Sequence, residues 1–439
     1  AGAYEEAGDL DRAIPLYEQT LNDRVRVLGE DHLDTLNSRN NLAGAYEEAG
    51  DLDRAIPLYE QTLNDRVRVL GEDHPGTLTC RHDLAGAYQS VGDLGRAIPL
   101  YEQTLNDRVR VLGEDHPGTL TCRHNLAYAY QTAGDLNRAI PLFEQTLTDT
   151  ERVLGEDHPG TLTCRHNLAY AYQSAGDLDR AIPLYERTLT ETERVLGENH
   201  LSTITCRDNL AYAYQSVGDL GRAIPLYEQT LNDRVRVLGQ NHPSTLASHN
   251  DLAYAYEAAG DLGRAIPLYE QTLNDRVRVL GEIHPDTLAS RHNLAGAYQL
   301  VGDLGHAIPL YERTLTETER VLGEDHPSTL TSRNSLAGAY QLVGDLGRAI
   351  PLYERTLTKT ERVLGENHPS TITCRNNLAY AYQSAGDLDR AIPLYERNLT
   401  EIVWVLGEEH PITAMFRGNL ASAIAKRDGR TRCVDQERC

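Results

Sequence analysis

The 439-residue chain carries a formal net charge of -23 with a pI near 5.1. Such a chain lacks the basic face that a phosphate backbone requires, so nucleic acid is disfavoured as a partner. No stretch approaches the ~20 consecutive apolar residues of a bilayer span and no basic-then-apolar leader opens the chain, so no membrane partner and a cytoplasmic protein are expected.

A single stretch of 42 residues, Ala43 to Leu84, recurs along the chain without insertion. Its Gly-Asp pair falls at Gly8, Gly50, Gly92 and Gly134 and onward to Gly386, and its Leu-Gly pair at Gly29, Gly71 and Gly113 and onward to Gly407. Self-similarity at a fixed period of this size is read as a stacked solenoid, in which each unit contacts only its neighbours. All 18 prolines occupy two repeat positions, the Pro57 type and the Pro75 type, which leaves none for a linker.

The chain opens at Ala1 in the second half of a repeat helix, so a preceding segment is expected. Within a full repeat the spacing predicts two helices. Helix A runs from Pro75 to Val91, with Cys80, Leu84, Ala87, Tyr88 and Val91 on one stripe; His74-Pro75 starts it and Gly92 ends it with a left-handed cap. Asp93 caps helix B, Leu94 to Leu112, whose stripe is Leu94, Ala97, Ile98, Tyr101, Leu105, Val109 and Leu112.

The expected domain layout is a solenoid over 1–427, ten 42-residue periods closed by a lone capping helix over 411–426, and a polar tail over 428–439. Trp404, Met415, Phe416 and Ile424 depart from the repeat; they either seal the last apolar face or make a contact with a second copy. Five of the seven cysteines (Cys80, Cys122, Cys164, Cys206, Cys374) share one repeat position, too far apart for disulfides, which leaves Cys433 and Cys439 as the pair able to bond.

Leu42, Ala43, Tyr46, Ala55 and Tyr59, with Gly50-Asp51 at the turn, resemble the tetratricopeptide repeat in order and spacing. The extra residues of helix B, and the runs AIPLYE, LGEDHPGT and NLA, resemble the 42-residue repeats of the kinesin light chain subgroup, a kind of array common in bacterial proteins. The resemblance implies an all-α fold, a right-handed superhelical α-solenoid of helix–turn–helix repeats, with A helices lining a concave groove where peptides lie. The lysines and arginines of that family's carboxylate clamp are missing from these groove positions.

Carried onto this chain, the groove positions are His124, Asn125, Tyr128 and Gln131; His166, Asn167, Tyr170 and Gln173; Asn209, Tyr212 and Gln215; Tyr254; and Asn377 and Tyr380. His124, Asn125 and Tyr128 share a helical stripe turned away from the Leu126 and Tyr130 side. The tyrosines offer rigid anchors with polar tips, or pack sideways on neighbouring A helices. The asparagines can hold an extended peptide backbone, or bond from helix to helix. Arg81 and its equivalents are expected to form salt bridges to a neighbouring repeat.

His74, Cys80 and His82 lie close in sequence, but Cys80 and His82 point to different helix faces, so no metal is expected and His74 is read as a helix cap. No cofactor motif occurs and any catalytic group would recur along the chain, so the chain is read as a non-enzyme. Three functions remain: a scaffold binding a peptide or protein segment in the groove; the sensor or autoinhibitory arm of a larger NB-ARC-type nucleotide-dependent switch; or an assembly element that self-associates through its terminal faces or its groove.

Overall fold

The computed structural model describes residues 1–5 and 8–437, helices joined by short turns with no strand among the described residues. Side chains of residues 3, 5, 405, 406 and 430–437 are outside that description, so the expected tail pair Cys433 and Cys439 lies outside it too. The chain forms two compact units, Ala1–Leu226 and Tyr227–Cys439.

Both units are α-solenoids of alternating A and B helices. In the first unit the A helices are Leu33–Glu48, Pro75–Ser90, Pro117–Thr132, Pro159–Ser174 and Leu201–Ser216; in the second they begin Pro243–Ala258, Pro285–Leu300, Pro327–Leu342 and Pro369–Ala385. Within each unit A helices pack on neighbouring B helices, as Pro75–Ser90 does on Leu52–Leu70 before it and Leu94–Leu112 after it, and in the first unit every A helix also touches the next.

The repeat at Pro75 shows why the chain folds this way locally. His74 Nδ1 accepts the Gly76 N–H at 3.1 Å, capping helix A where Pro75 has no donor to satisfy. The same His cap recurs from His32 to His410. Gly92 turns the chain at φ +78°, a conformation that only glycine adopts freely, and Asp93 then caps helix B by accepting the Arg96 N–H at 3.1 Å. Helix B, Leu94–Leu112, runs unbroken through Pro99.

Ala85, Ala87 and Ala97 are fully buried, and their small size lets the aromatic rings of Tyr88 and Tyr101 reach the core between helices. Val91, by contrast, stands exposed at the turn. Along helix B the buried line does not follow Leu105 and Val109. It runs onto Thr104 and Arg108, both buried, because this part of the helix lies against the start of the next A helix. The repeat cysteines are buried, unpaired by disulfides, and Cys80 donates its thiol to the Tyr59 carbonyl at 3.6 Å. Burial pushes that thiol up to about 12.

The arginines of helix A are deeply buried, and their partners differ from one part of the chain to another. Arg81 pairs with Asp107 of its own B helix at 2.6 Å, whereas a neighbouring repeat had been expected. Arg165 and Arg333 do reach back to the preceding B helix, to Glu151 at 2.7 Å and Glu319 at 2.6 Å. Arg375 does both, to Glu401 and Glu361. Repeats are further joined by Tyr88, which donates to Glu60 of the preceding repeat while Arg96 stacks on its ring at 4.0 Å.

The last helix, Pro411–Glu437, continues beyond the Lys426 end read from the sequence. Phe416 packs with Ile372 and Ile402, and Ile424 lies against the core, so these two residues close the apolar face. Trp404 and Met415 do not: they are 82% and 52% exposed.

Candidate functional site

Helical geometry gives each A helix a stripe away from the B helices, and the five tyrosines singled out stand on it. Tyr128, Tyr170 and Tyr212 in the first unit, and Tyr254 and Tyr380 in the second, are between 43% and 55% exposed. Leu126 and Tyr130, on the opposite side of the same helix, are buried. The ring base of this position rests near the B-helix aromatic: at Gly44 and Gly86, a Cβ would come within 3.5 Å of the Tyr59 and Tyr101 hydroxyls. The phenols thus project from a rigid footing and leave substantial area free.

The asparagines serve the packing alternative. Asn125 Nδ2 bonds His82 Nε2 at 3.1 Å, Asn167 bonds His124 at 3.0 Å, and Asn209 bonds His166 at 3.1 Å, each joining one A helix to the next. In the second unit Asn377 donates to Asn334 at 3.4 Å in the same register. Each histidine also meets an aromatic of its B helix edge-on, as His82 meets Tyr101 at 5.3 Å. These residues stand half-buried, with the asparagine Nδ2 and histidine Nε2 atoms bonded between repeats. Burial pushes His82, His124 and His166 down to about 4, so they are neutral acceptors near neutral pH.

The glutamines lie behind the tyrosines, half-buried. Their position faces the hydroxyl of the B-helix aromatic, as Tyr395 donates to Gln383 at 3.0 Å and Tyr59 to Glu47 at 2.9 Å. The fourth repeat carries Phe143 there, and Gln131 is left with both amide atoms buried and unpartnered. Gln173 Oε1 is unpartnered in the same place.

Periodicity did not single out one position on helix B. Arg66 spans two consecutive A helices, donating to Asn37 Oδ1 at 2.8 Å and to the Gly76 carbonyl. The equivalents Arg24, Arg108, Arg234 and Arg276 reach the same carbonyl of the following helix. Four repeats carry Thr150, Thr192, Thr318 and Thr360 instead. The signal was present in the comparison of one repeat with another, but an arginine at that spacing reads as surface.

Among the described residues no group of three His, Cys, Asp or Glu side chains comes together to hold a metal ion, and no helix is long and apolar enough to cross a membrane. His74 is engaged in its cap, Cys80 with a backbone carbonyl, and His82 with Asn125.

A stack of helix–turn–helix units with an exposed stripe on the first helix of each pair defines a helical-repeat protein. The chain belongs to the tetratricopeptide repeat family, whose model matches residues 1–66, 55–108, 89–149, 133–190, 166–234, 209–276, 244–317, 286–359 and 334–400. A putative kinesin light chain from Podosopora anserina with nearly identical TPR-like repeats is 33% identical over 47% of this chain and 97% of that one, with a TM-score of 0.43. The quorum sensor NprR from B. thuringiensis, in its apo form, is 14% identical over 84% of this chain and 99% of that one, with a TM-score of 0.58. A signal transduction ATPase with numerous domains and a tetratricopeptide repeat sensor, from Pyrococcus horikoshii, is 13% identical over 88% of this chain and 55% of its own, with a TM-score of 0.59. No curated protein matches the chain.

Proposed function

We propose that the chain is a non-catalytic scaffold that holds a peptide or protein segment along the A-helix stripe. The observation carrying this reading is the set of exposed tyrosines, which expose 43–55% of their surface on otherwise rigid helices. Large amphipathic rings with few rotatable bonds are efficient anchors, since little side-chain entropy is lost on contact. The unpartnered amide of Gln131 behind Tyr128 adds a donor and an acceptor within the same stripe, suited to a peptide backbone. The asparagines and histidines contribute by holding A helices in register.

The test is affinity capture from cell lysate on the chain and on a variant with Tyr128, Tyr170, Tyr212 and Tyr254 all changed to glycine. Glycine already occupies this position at Gly44, Gly86, Gly296 and Gly338, and each change costs up to ~1 kcal/mol of helix stability. Partners lost from the folded variant alone support the stripe; partners retained by both refute it. Absence of any partner favours the sensor arm of a larger switch; the Pyrococcus signal transduction ATPase, of similar fold, carries a tetratricopeptide repeat sensor.

A second reading, self-association through the C-terminal end, draws on Trp404, which exposes 82% of its surface beside the last turn of its helix. Light scattering across concentration tests it. A strictly monomeric chain eliminates it.

A further inference from the structure

The helix-B position of Arg66 is filled in three ways along the chain. Arg24, Arg66 and Arg108 are followed by Thr150 and Thr192, then Arg234 and Arg276, then Thr318 and Thr360, and finally Ile402. Where arginine stands, its guanidinium lies between two consecutive A helices and bonds the carbonyl of the second residue of the following one: Asp34 at 2.8 Å for Arg24, Gly118 at 2.5 Å for Arg108, Asp286 at 2.9 Å for Arg276. A side-chain oxygen supplies the second acceptor, Asn37 for Arg66, and Ser290 at 2.8 Å for Arg276. Where isoleucine stands, Ile402 closes the space by packing with Ile372 and Phe416.

Threonine fills nothing comparable, and the space is open. Beside Thr192 lies a cavity of about 510 Å³, beside Thr318 one of about 420 Å³, and beside Thr360 one of about 320 Å³. Each falls within the range of ~300–1,000 Å³ typical of ligand sites, with more room than one side chain needs. The arginine's acceptors remain in place. Ser202, Ser328 and Ser370, which line the three cavities, hold the backbone position of Gly76 and Asp286. Ser332, on the wall of the Thr318 cavity, is the counterpart of Ser290; Thr163, on the wall of the Thr192 cavity, is the counterpart of Asn37.

The repeats with threonine also replace the following valine, Val67 or Val109, with Glu193, Glu319 or Glu361. These glutamates pair with the chain's own Arg207, Arg333 and Arg375 on the following A helix. A guanidinium presents planar donors matched to a carbonyl and a nearby side-chain oxygen, which an ammonium or an apolar group does not.

We infer that the cavities at Thr192, Thr318 and Thr360 are sockets for arginine side chains of a bound basic peptide, each taking the place that the chain's own arginine holds in other repeats. Thr163 and His166 of the Thr192 socket lie on the stripe that carries Tyr170, so the socket opens one to two helical turns from that ring, about 10 Å along the helix. The inference rests on the tyrosine-stripe reading for the direction from which the arginine enters.

The probe is N-acetyl-arginine methylamide, with the citrulline analogue as an uncharged control of the same shape, titrated against the full chain by ligand-observed NMR. Saturable binding is expected, roughly tenfold tighter for arginine than for citrulline. Thr192→Ile, Thr318→Ile and Thr360→Ile together fill the sockets as Ile402 does and should weaken it by roughly tenfold or more. Thr→Arg at the same positions, the residue of other repeats, should do likewise, and circular dichroism verifies the fold of both variants. Equal binding of the two probes, binding unchanged in either filled variant, or no saturable binding overturns the inference. Because the probe is a single residue, its failure leaves the tyrosine stripe standing, and failure of the tyrosine variant to alter capture leaves the sockets standing.

Discussion

Acid should loosen the first unit through the histidines between its A helices. His82, His124 and His166 are pushed from 6.5 down to about 4 by burial, with nearby Arg108 adding to the effect at His82. A group whose pKa is lower folded than unfolded takes up protons on unfolding, so its contribution to stability is present above the unfolded value and is lost as pH falls toward the folded one. At about pH 5 this amounts to about 2 kcal/mol per histidine, against about 0.1 kcal/mol at about pH 7.5. Protonation also removes the Nε2 lone pair that accepts from Asn125, Asn167 or Asn209. Burial raises the Asp83 and Glu47 carboxyls, which act in the opposite sense by holding protons longer in the folded state, so the total slope alone does not isolate the histidines. The variant His82→Asn, His124→Asn, His166→Asn does. Asparagine stands at this position in the second unit, where Asn250 and Asn376 accept from Asn293 and Asn419 at 3.1 Å. Urea unfolding of both chains at about pH 7.5 and about pH 5, with hydrogen exchange across Pro75–Ser90 and Pro117–Thr132, reads the effect. The parent should lose several kcal/mol more than the variant; equal losses refute the reasoning.

Arg81→Met leaves Asp107 beside Arg110 alone and should cost about 3 kcal/mol in urea unfolding, the low end for breaking a buried pair because that second partner remains at 2.8 Å. Adding Asp107→Asn should recover part of the loss; a second loss of the same size would mean that stem packing, not charge, dominated. The five repeat cysteines should resist iodoacetamide in the folded chain and react only as it unfolds, since they are buried and their thiols are held near 12. Mass spectrometry reads this, and fast labelling under native conditions would contradict it. Gly92→Ala forces a side chain onto a backbone at φ +78° and should destabilise by about 1–2 kcal/mol, although no atom lies close enough to clash; an unchanged unfolding midpoint would count against a purely conformational cost.

Much of the fold was legible because it is written ten times. Helix ends depend on local chemistry, and His74-Pro75, Gly92, Asp93 and Gly113 announce their roles without reference to the rest of the chain. The exposed tyrosines were legible for a related reason: a helical stripe opposite the Leu126 and Tyr130 side is fixed by the period of the helix alone. What neighbouring repeats do to one another was harder to read. Asn125 and His82 stand 43 residues apart, one more than the period, and nothing in a single helix shows that adjacent A helices are rotated so as to bring them within bonding distance. The direction of Arg81 turns on whether Asp107 or a glutamate at the Glu151 position lies within reach, which depends on packing between B helices.

The sockets mark where apolar periodicity misleads. A core is sought among apolar letters, so Thr104 and Arg108 were passed over although both are buried, and Leu105 and Val109 were preferred although neither is. Near-identity of the repeats then offers a correction that a single domain does not. When one repeat position holds arginine, threonine or isoleucine, each filling reports on the same space: the arginine shows which oxygens lie there, the isoleucine shows that apolar packing can close it, and the threonine leaves it open. An exposed helix position would place no such volume at the threonines, and the cavities at Thr192, Thr318 and Thr360 are what distinguish a changed interior from a changed surface.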